Sequence, residues 1–260
     1  MMISRNEILY IKSLKHRKSR EVNGHFVAEG PKLVSDLANS GMIPERIFCT
    51  YEWLDMYPDY SDQLDFDVSP VQIGEMERIS FLTNPSQVLG VFRMLPTQDL
   101  TGHHKTDLVL VLDDIRDPGN LGTMLRSADW FGIRQIVCSQ GSVDLYNSKV
   151  VQASMGSIAR VNVVEAELRH YFNAILDEAP VYGTFMDGEP IYSSALIPNG
   201  HIIIGNEGRG IASELQMYIT HRISIPGPLI HSEGKMAESL NASIAAALVI
   251  AEFRRQHSAI

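Results

Sequence analysis

The chain has 260 residues, of which 45% are hydrophobic and 20% charged, so it can form one large or two ordinary globular domains. Its formal net charge of −9 argues against a protein that binds nucleic acid over a broad basic face. The first twenty residues lack the apolar core of a signal peptide, and no run approaches about eighteen uninterrupted apolar residues, which predicts a cytoplasmic protein without membrane spans.

Those first twenty residues nevertheless carry a cluster of basic side chains, with Glu7 as the single acid among them. Such a cluster can neutralise a few phosphates while the rest of the surface stays acidic. A solvated helix face with a flexible basic end explains the composition equally well. The candidate phosphate contacts are Lys12, Lys15, Arg17, Lys18 and Arg20.

The first part of the chain is predicted to be a small α/β unit of alternating short elements. The predicted strands are 25–29, 46–50 and 88–94, and the predicted helices are 31–39 and 70–79. Polar and turn residues then replace the apolar periodicity, which indicates a linker. We therefore predict an N-terminal domain at 1–98, a linker at 99–106 and a second domain at 107–260.

The second domain is predicted to alternate strands with helices, a pattern typical of a mostly parallel sheet covered on both sides. Its last helix is apolar almost all round, so it must be buried within the domain or against a second subunit. The predicted strands are 108–112, 134–138, 160–164, 180–184, 201–204 and 222–225, and the predicted helices are 121–131, 147–157, 167–178, 211–219 and 239–256.

One stretch of this domain, residues 113–132, combines a turn with an amphipathic helix. We expect the side chain of Asn120 to cap that helix by accepting from its first free N–H groups. Arg126 lies off the apolar face, so its guanidinium is uncovered near a helix N-terminus, which suits a phosphate. A strand, a turn and a helix are also ordinary parts of any α/β protein. The apolar face consists of Leu121, Met124, Leu125 and Ala128.

Two further stretches strengthen a functional interpretation. Residues 202–211 read IIIGNEGRGI, and residues 223–226 read ISIP before ESLNAS at 238–243. Together with DPGNLGTMLRSADWFG at 117–132, and in this order, they resemble the SpoU (TrmH-type) family of RNA ribose 2′-O-methyltransferases in the SPOUT superfamily.

The resemblance implies an α/β fold with a parallel-sheet SPOUT domain and a deep trefoil knot at the C-terminal end of the chain. It also implies a homodimer whose cofactor sites lie beside the subunit interface. The smaller N-terminal α/β domain would help to bind the RNA substrate. General rules of chain topology disfavour knots, so only the resemblance supports that expectation.

The glycine patterns argue against a nucleotide cofactor. GNEGRG spaces its glycines as G-x-x-G-x-G, and no glycine-rich loop ends in Gly-Lys-Ser/Thr, which argues against a dinucleotide enzyme or an NTPase. The two cysteines, Cys49 and Cys138, form no metal-ligand spacing.

The resemblance implies S-adenosyl-L-methionine as the cofactor, and plain core packing remains open for Ile225 and Leu240. The implied cofactor contacts are Thr184, Gly205, Gly208, Ile225 and Leu240.

The resemblance also implies a set of catalytic residues, namely Asn120 and Arg126 in the first motif, Glu207 in the second, and Ser239 and Asn241 in the third. A ribose 2′-hydroxyl must attack a sulfonium methyl group in line and lose its proton. We favour Arg126 as a residue that positions phosphate, because the very high pKa of a guanidinium group disfavours its use as a general base. Proton relay through Arg126 stays open, as do helix capping and turn formation for Asn120 and Ser239.

The predicted function is transfer of a methyl group to a ribose 2′-hydroxyl of structured RNA. The additional N-terminal domain favours ribosomal RNA over transfer RNA. The alternative is a non-catalytic RNA-binding or ribosome-assembly protein of the same fold, against which the intact catalytic motifs speak. The chain departs from the family in residues 227–238, which lengthen the interval between Ile225 and Ser239, so the detail of the cofactor loop stays open.

Overall fold

The structure is a computed structural model that describes residues 3–61, 66–96, 103–175, 178–227 and 239–257. The chain forms two compact units. The first comprises Met1–Pro96 and Asp144–Arg160, and the second comprises Thr97–Val143 and Val161–Ile260. Of the predicted linker, residues 99–102 lie outside the described residues, and His103–Lys105 form a 3-10 turn.

A four-stranded sheet organises the first unit in the order β1-β4-β2-β3. The central strand β4 runs antiparallel to both neighbours, whereas β2 and β3 are parallel. The strands are β1 (His25–Glu29), β2 (Pro44–Thr50), β3 (Val68–Val71) and β4 (Val88–Arg93). The helices are α1 (Arg5–Ser13), α2 (Arg17–Asn23), α3 (Pro31–Asn39), α4 (Tyr51–Met56) and α5 (Ile73–Ile79).

The helix predicted at 70–79 begins three residues later than expected. Pro70 lies within β3, at the edge of the sheet, where a residue without an N–H group is tolerated. Gln72 and Glu75 then form a reciprocal capping box that starts α5. The strand and the capping box together therefore set the helix start.

Residues 144–160 depart from the predicted domain division. They contain α7 (Ser148–Ser154) and a 3-10 turn at Ser157–Ala159, which we assigned to the second domain because they lie between two of its predicted strands. The apolar side chains of Val151 and Ile158 instead belong to the core that contains Phe26 and Val34. Packing of these side chains places the segment in the first unit, which sequence order alone does not reveal.

The second unit contains a six-stranded, fully parallel sheet in the order β10-β8-β9-β5-β6-β7. This confirms the predicted α/β class. The strands are β5 (Leu108–Leu112), β6 (Gln135–Ser139), β7 (Asn162–Ala166), β8 (Val181–Pro190), β9 (Gly200–Ile204) and β10 (His221–Ser224). The helices are α6 (Pro118–Trp130), α8 (Leu168–Ala174) and α9 (Ala242–His257), and the helix predicted at 211–219 is a 3-10 segment, Ser213–Tyr218.

Four adjacent strands of this sheet carry the predicted motifs at one edge. Because β10, β8, β9 and β5 are parallel neighbours, their carboxyl ends meet there. The first motif follows β5, GNEGRG follows β9, and ISIP completes β10. Helix α9, which begins within the third motif, packs against α6. The knot expected at the C-terminal end of the chain stays a prediction, because residues 228–238 of that region lie outside the described residues.

Candidate active site

Helix α6 begins with a cap that differs from the predicted one. The side chain of Asp117 accepts a hydrogen bond from the Asn120 N–H at 2.8 Å, and Pro118 occupies the first helical turn. The prediction that Asn120 supplies the cap is therefore wrong. Since Asp117 fills that role, the amide of Asn120 can bind other groups.

The Asn120 side chain joins the three motifs. Its Nδ2 donates to Glu207 Oε1 at 2.5 Å, across 87 residues of sequence. Its Oδ1 accepts from Asn241 Nδ2 at 2.9 Å, across 121 residues. Asn120 is only 9% exposed, so both hydrogen bonds are partly shielded from water. The structure thus brings together three of the predicted catalytic residues.

Asn241 fixes this network to the start of α9. Its Oδ1 accepts from the N–H of Ser243 at 2.9 Å and from the Ser243 hydroxyl at 2.7 Å. The same side chain therefore caps α9 and holds Asn120. Asn241 thus caps α9, as Asp117 caps α6.

Arg126 and Ser239 are exposed and lie outside this network. The apolar face predicted for α6 is confirmed, because Leu121, Met124 and Leu125 are fully buried. Within the described ranges, no hydrogen bond or ion pair engages the Arg126 guanidinium. It is therefore available to a ligand, as an exposed cation beyond the first turn of a helix.

The GNEGRG segment folds into a tight turn that positions Glu207. Asn206 and Gly210 pair through backbone hydrogen bonds of 3.1 and 2.8 Å. A Cβ atom on Gly205 would lie 2.3 Å from the Gly210 carbonyl carbon, so only glycine fits there. In contrast, a Cβ atom on Gly208 would meet only Asn206 Oδ1, at 3.7 Å. The turn is thus closed at Gly205, whereas Gly208 is exposed and donates its N–H to Asn206 Oδ1 at 3.0 Å.

Asp114, which the sequence analysis did not single out, holds this turn against the end of β5. Asn206 Nδ2 donates to the Asp114 carbonyl oxygen at 2.8 Å. The Asp114 carboxylate forms ion pairs with Arg209 and, at 2.9 Å, with Arg116. Its φ of 55° lies in the left-handed region that Asp tolerates better than most residues. An Asp directly after a buried strand was the only available signal.

Asp113 makes a second connection from the end of β5. Its Oδ2 accepts from the Ala212 N–H at 2.8 Å, although the residue is only 6% exposed. Burial raises the pKa of this carboxyl above its ordinary value, and the hydrogen bond from Ala212 opposes that rise. Asp113 and Asp114 thus fix both ends of the turn that carries Glu207.

The predicted cofactor contacts lie close to the carboxyl edge of the sheet or to the start of α9. Thr184 directly follows the residues of β8 that pair with β9, and its hydroxyl donates to the Ile203 carbonyl at 3.0 Å. Ile225 directly follows β10 and is partly buried. Leu240 precedes α9 and is 48% exposed. Their roles toward a cofactor stay predictions.

The basic side chains of the first unit are not equivalent. Arg20 departs from the prediction of a phosphate contact, because it is 4% exposed, donates to the Leu14 carbonyl at 2.8 Å and pairs with Asp144. Lys12 donates to the Ser80 carbonyl at 2.7 Å, and Arg17 pairs with Glu21 at 2.7 Å. Lys15 and Lys18 are exposed.

In the described part of the chain there is no helix that could cross a membrane and no group of three metal-binding side chains.

Curated relatives match all or part of the chain. It is 29% identical over 247 residues to the 23S rRNA (guanosine(2553)-2′-O)-methyltransferase RlmP of Bacillus subtilis, and the match spans 94% of each protein. It is 34% identical over 158 residues to the mitochondrial rRNA methyltransferase 3 of Mus musculus, a match that spans 58% of this chain and 37% of the mouse protein. A solved structure from Porphyromonas gingivalis, described as of the TrmH family, has a TM-score of 0.83 and 36% identity and covers 98% of this chain and 100% of its own.

Each unit also matches a known domain family. The MRM3-like substrate binding domain matches residues 5–90, in the first unit. The SpoU rRNA Methylase family matches residues 107–251, which is more than half of the chain and contains Asn120, Glu207 and Asn241. The chain therefore belongs to the SpoU rRNA methylase family.

Proposed function

We propose that this protein transfers a methyl group from S-adenosyl-L-methionine to a ribose 2′-hydroxyl of ribosomal RNA. The observation that carries the proposal is the hydrogen-bond network of Asn120 with Glu207 and Asn241, which joins the three family motifs in one place. The names of the Bacillus subtilis and mouse relatives favour ribosomal RNA over transfer RNA.

In this network, one carboxylate oxygen of Glu207 can still accept a hydrogen bond from a hydroxyl group. Its Oε1 accepts from Asn120, whereas its Oε2 has no hydrogen-bond donor among the residues that the structure describes. Glu207 is exposed, so a ribose hydroxyl can reach that second oxygen. A hydrogen bond there would orient the hydroxyl oxygen, which accepts the methyl group, toward the methyl donor and would hold its proton.

Arg126 supplies the charge that an RNA backbone requires. Its planar guanidinium can bind a phosphate at two oxygens. Its exposed position on α6, the helix that also carries Asn120, suits it to position the phosphate of the methylated nucleotide. Ser239, exposed before α9, is the remaining hydroxyl of the predicted set.

The residues near the carboxyl edge of the sheet fit S-adenosyl-L-methionine. Gly208 is exposed and has space beside its Cα atom, and Leu240 offers an exposed apolar side chain. Thr184, Gly205 and Ile225 complete the set that would hold the cofactor through main-chain groups and apolar contacts. The cofactor supplies an electrophilic methyl group when it is bound.

We also propose that the protein is a homodimer. Helix α9 buries Ala246 and Ile250 but leaves Ile244 52% and Leu248 38% exposed, one turn apart. On α6, against which α9 packs, Trp130 is 83% exposed. Exposed apolar groups of this size are typical of an interface. Sedimentation of the wild type at micromolar concentration should show a dimer, and Ile244→Glu with Leu248→Glu should shift it to a monomer.

The proposed function is tested with purified protein, radiolabelled S-adenosyl-L-methionine and two unmodified transcripts, one of ribosomal RNA and one of transfer RNA. We expect label in ribosomal RNA at one ribose and none in transfer RNA. Mapping of 2′-O-methyl groups in RNA from a deletion strain then identifies the nucleotide. Binding of ribosomal RNA without cofactor binding or methyl transfer would instead support the non-catalytic assembly protein.

A further inference from the structure

A cleft of about 740 Å³ lies wholly within the second unit, beside the candidate active site. It opens at the carboxyl ends of β5 and β6, and its volume is within the range of about 300–1,000 Å³ found for ligand sites. Asn206 and Arg209 line it, and Glu207 lies between them in the sequence. None of the residues assigned above to the cofactor lines this cleft.

Three arginine side chains line the cleft, beside the four carboxyl groups of Asp113, Asp114, Glu167 and Glu214. Arg116 and Arg209 are each 65% exposed, and both pair with the single carboxylate of Asp114, which leaves a net charge of about +1. Each guanidinium keeps further N–H donors, and the shared carboxylate fixes the orientation of both. No described residue pairs with the third arginine, Arg169, which is exposed. The Arg116–Asp114–Arg209 group is therefore preorganised to bind one anion.

Carboxylates elsewhere in the cleft limit the charge of that anion. Glu167 and Glu214 line it together with the buried Asp113. A triphosphate would bring about four negative charges close to these groups, which is unfavourable. A single phosphodiester carries only one charge. The exposed amide side chains of Gln140 and Gln216 can in addition hydrogen-bond the edge of a base.

We infer that this cleft binds a nucleotide of the RNA chain that directly flanks the methylated one, with its phosphate held by Arg116 and Arg209. The inference rests on the proposed function, because the RNA must lie at Glu207 for its neighbour to reach the cleft. Arg169 adds charge at the edge of the same site. The cleft thus contributes to the choice of RNA sequence around the target ribose.

The test uses the full-length protein with S-adenosyl-L-methionine and unmodified, in vitro transcribed 23S ribosomal RNA. The variants are Arg116→Ala, Arg169→Ala and Arg209→Ala. Arg134→Ala is a matched control, because Arg134 is exposed but precedes β6 at the opposite edge of the sheet. Arg169→Ala breaks no side-chain hydrogen bond or ion pair with a described residue, so it separates RNA binding from folding.

We expect each cleft variant to raise the KM for RNA about tenfold. The slope of log RNA affinity against log salt concentration should become shallower by about one. The KM for the cofactor should stay within about twofold in every variant, kcat should do so in Arg169→Ala, and Arg134→Ala should match the wild type in all three quantities. Unchanged RNA KM and salt slope in all three variants of an active protein would overturn the inference alone. A raised KM for the cofactor with unchanged RNA affinity would also overturn it. A wild type that neither binds nor methylates the RNA would overturn the proposed function as well.

Discussion

The side-chain amide of Asn120 donates a hydrogen bond of 2.5 Å to the carboxylate of Glu207, which lies 87 residues further along the chain. The carbonyl oxygen of the same amide accepts from Asn241, the residue that caps α9. The position of Glu207 therefore depends on helix α6 and on the start of helix α9. A disturbance at either helix start would move the carboxylate.

Replacement of Asn120 tests this dependence. Asn120→Asp substitutes a carboxylate for the amide donor, so two negative charges would face each other at the present hydrogen-bond distance. We expect methyl transfer to RNA to fall at least about a hundredfold, the usual effect of losing one oriented donor in an active site. The measurement is single-turnover transfer at saturating S-adenosyl-L-methionine.

Two controls accompany the Asn120 variant. Ser127 lies on the exposed side of the same helix. Its replacement by alanine removes only the hydrogen bond of 3.1 Å from the Ser127 hydroxyl to the Thr123 carbonyl. This variant should retain normal transfer. Calorimetry should show that Asn120→Asp binds the cofactor within about threefold of the wild type. Normal transfer by Asn120→Asp would mean that Glu207 does not need its partner.

The sequence could predict those strands and helices that bury an uninterrupted run or a regularly spaced set of apolar side chains. All five residues of β5 are buried, and its uninterrupted apolar run indicated a strand covered on both faces. The spacing of Leu121, Met124, Leu125 and Ala128 likewise identified the buried face of α6. Both features follow from the order of apolar residues within a short stretch of the sequence, so no knowledge of distant contacts is needed.

Features that depend on distant partners could not be predicted from local patterns. The Asp114 side chain binds Arg209, 95 residues away, and nothing near Asp114 in the sequence indicates that contact. Arg20 looked like one more exposed cation in a basic cluster, yet it pairs with Asp144. Asp117 and Asn120 are both good capping residues, and only the fold shows which one caps α6.

Gly205 permits a second prediction. Because a Cβ atom there would lie 2.3 Å from the Gly210 carbonyl carbon, Gly205→Ala must open the turn that carries Glu207. We expect loss of methyl transfer by at least about a hundredfold, with a free energy of unfolding lowered by about 1–3 kcal/mol. Urea unfolding and single-turnover assays measure the two effects.

Gly74→Ala is the matched control for Gly205→Ala. Gly74 lies within α5, and a Cβ atom on it meets nothing within 4 Å. Alanine in a helix should raise the free energy of unfolding by about 0.5–1 kcal/mol and leave methyl transfer unchanged. Equal stability of the two alanine variants would contradict the close contact at Gly205.

A buried histidine makes the stability of the second unit depend on pH. His201 is 1% exposed, and its Nε2 lies 2.9 Å from the Tyr171 hydroxyl. Burial, and then the nearby His104, lower the pKa of His201 to about 3, whereas an exposed histidine has a pKa near 6.5. Between these pH values the unfolded chain binds the proton and the folded chain does not. Stability from this group is therefore complete above about pH 6.5 and falls as the pH decreases toward 3.

His201→Gln tests this pH dependence, since glutamine keeps hydrogen-bonding capacity without a titrating ring. Each pH unit below about 6.5 should cost the wild type about 1.4 kcal/mol that the variant does not lose. Urea unfolding at pH 7.0, 5.5 and 4.5 provides the comparison. Parallel curves of stability against pH for the two proteins would show that His201 is protonated in the fold.

The last prediction separates a chemical role of Arg126 from a structural one. Arg126 is exposed and contacts no described residue through a hydrogen bond or ion pair, so its removal should leave no cavity and change the free energy of unfolding by less than about 0.5 kcal/mol. Lysine keeps the charge but loses the planar fork that binds a phosphate at two oxygens. We expect Arg126→Ala and Arg126→Lys to fold, to dimerise and to bind S-adenosyl-L-methionine normally, and to lose methyl transfer at least about a hundredfold. Single-turnover transfer to ribosomal RNA, measured from pH 6 to 9, decides the outcome. Near-normal rates in both variants would exclude Arg126 from the reaction, and partial rescue by lysine alone would show that its charge, rather than its fork, positions the phosphate.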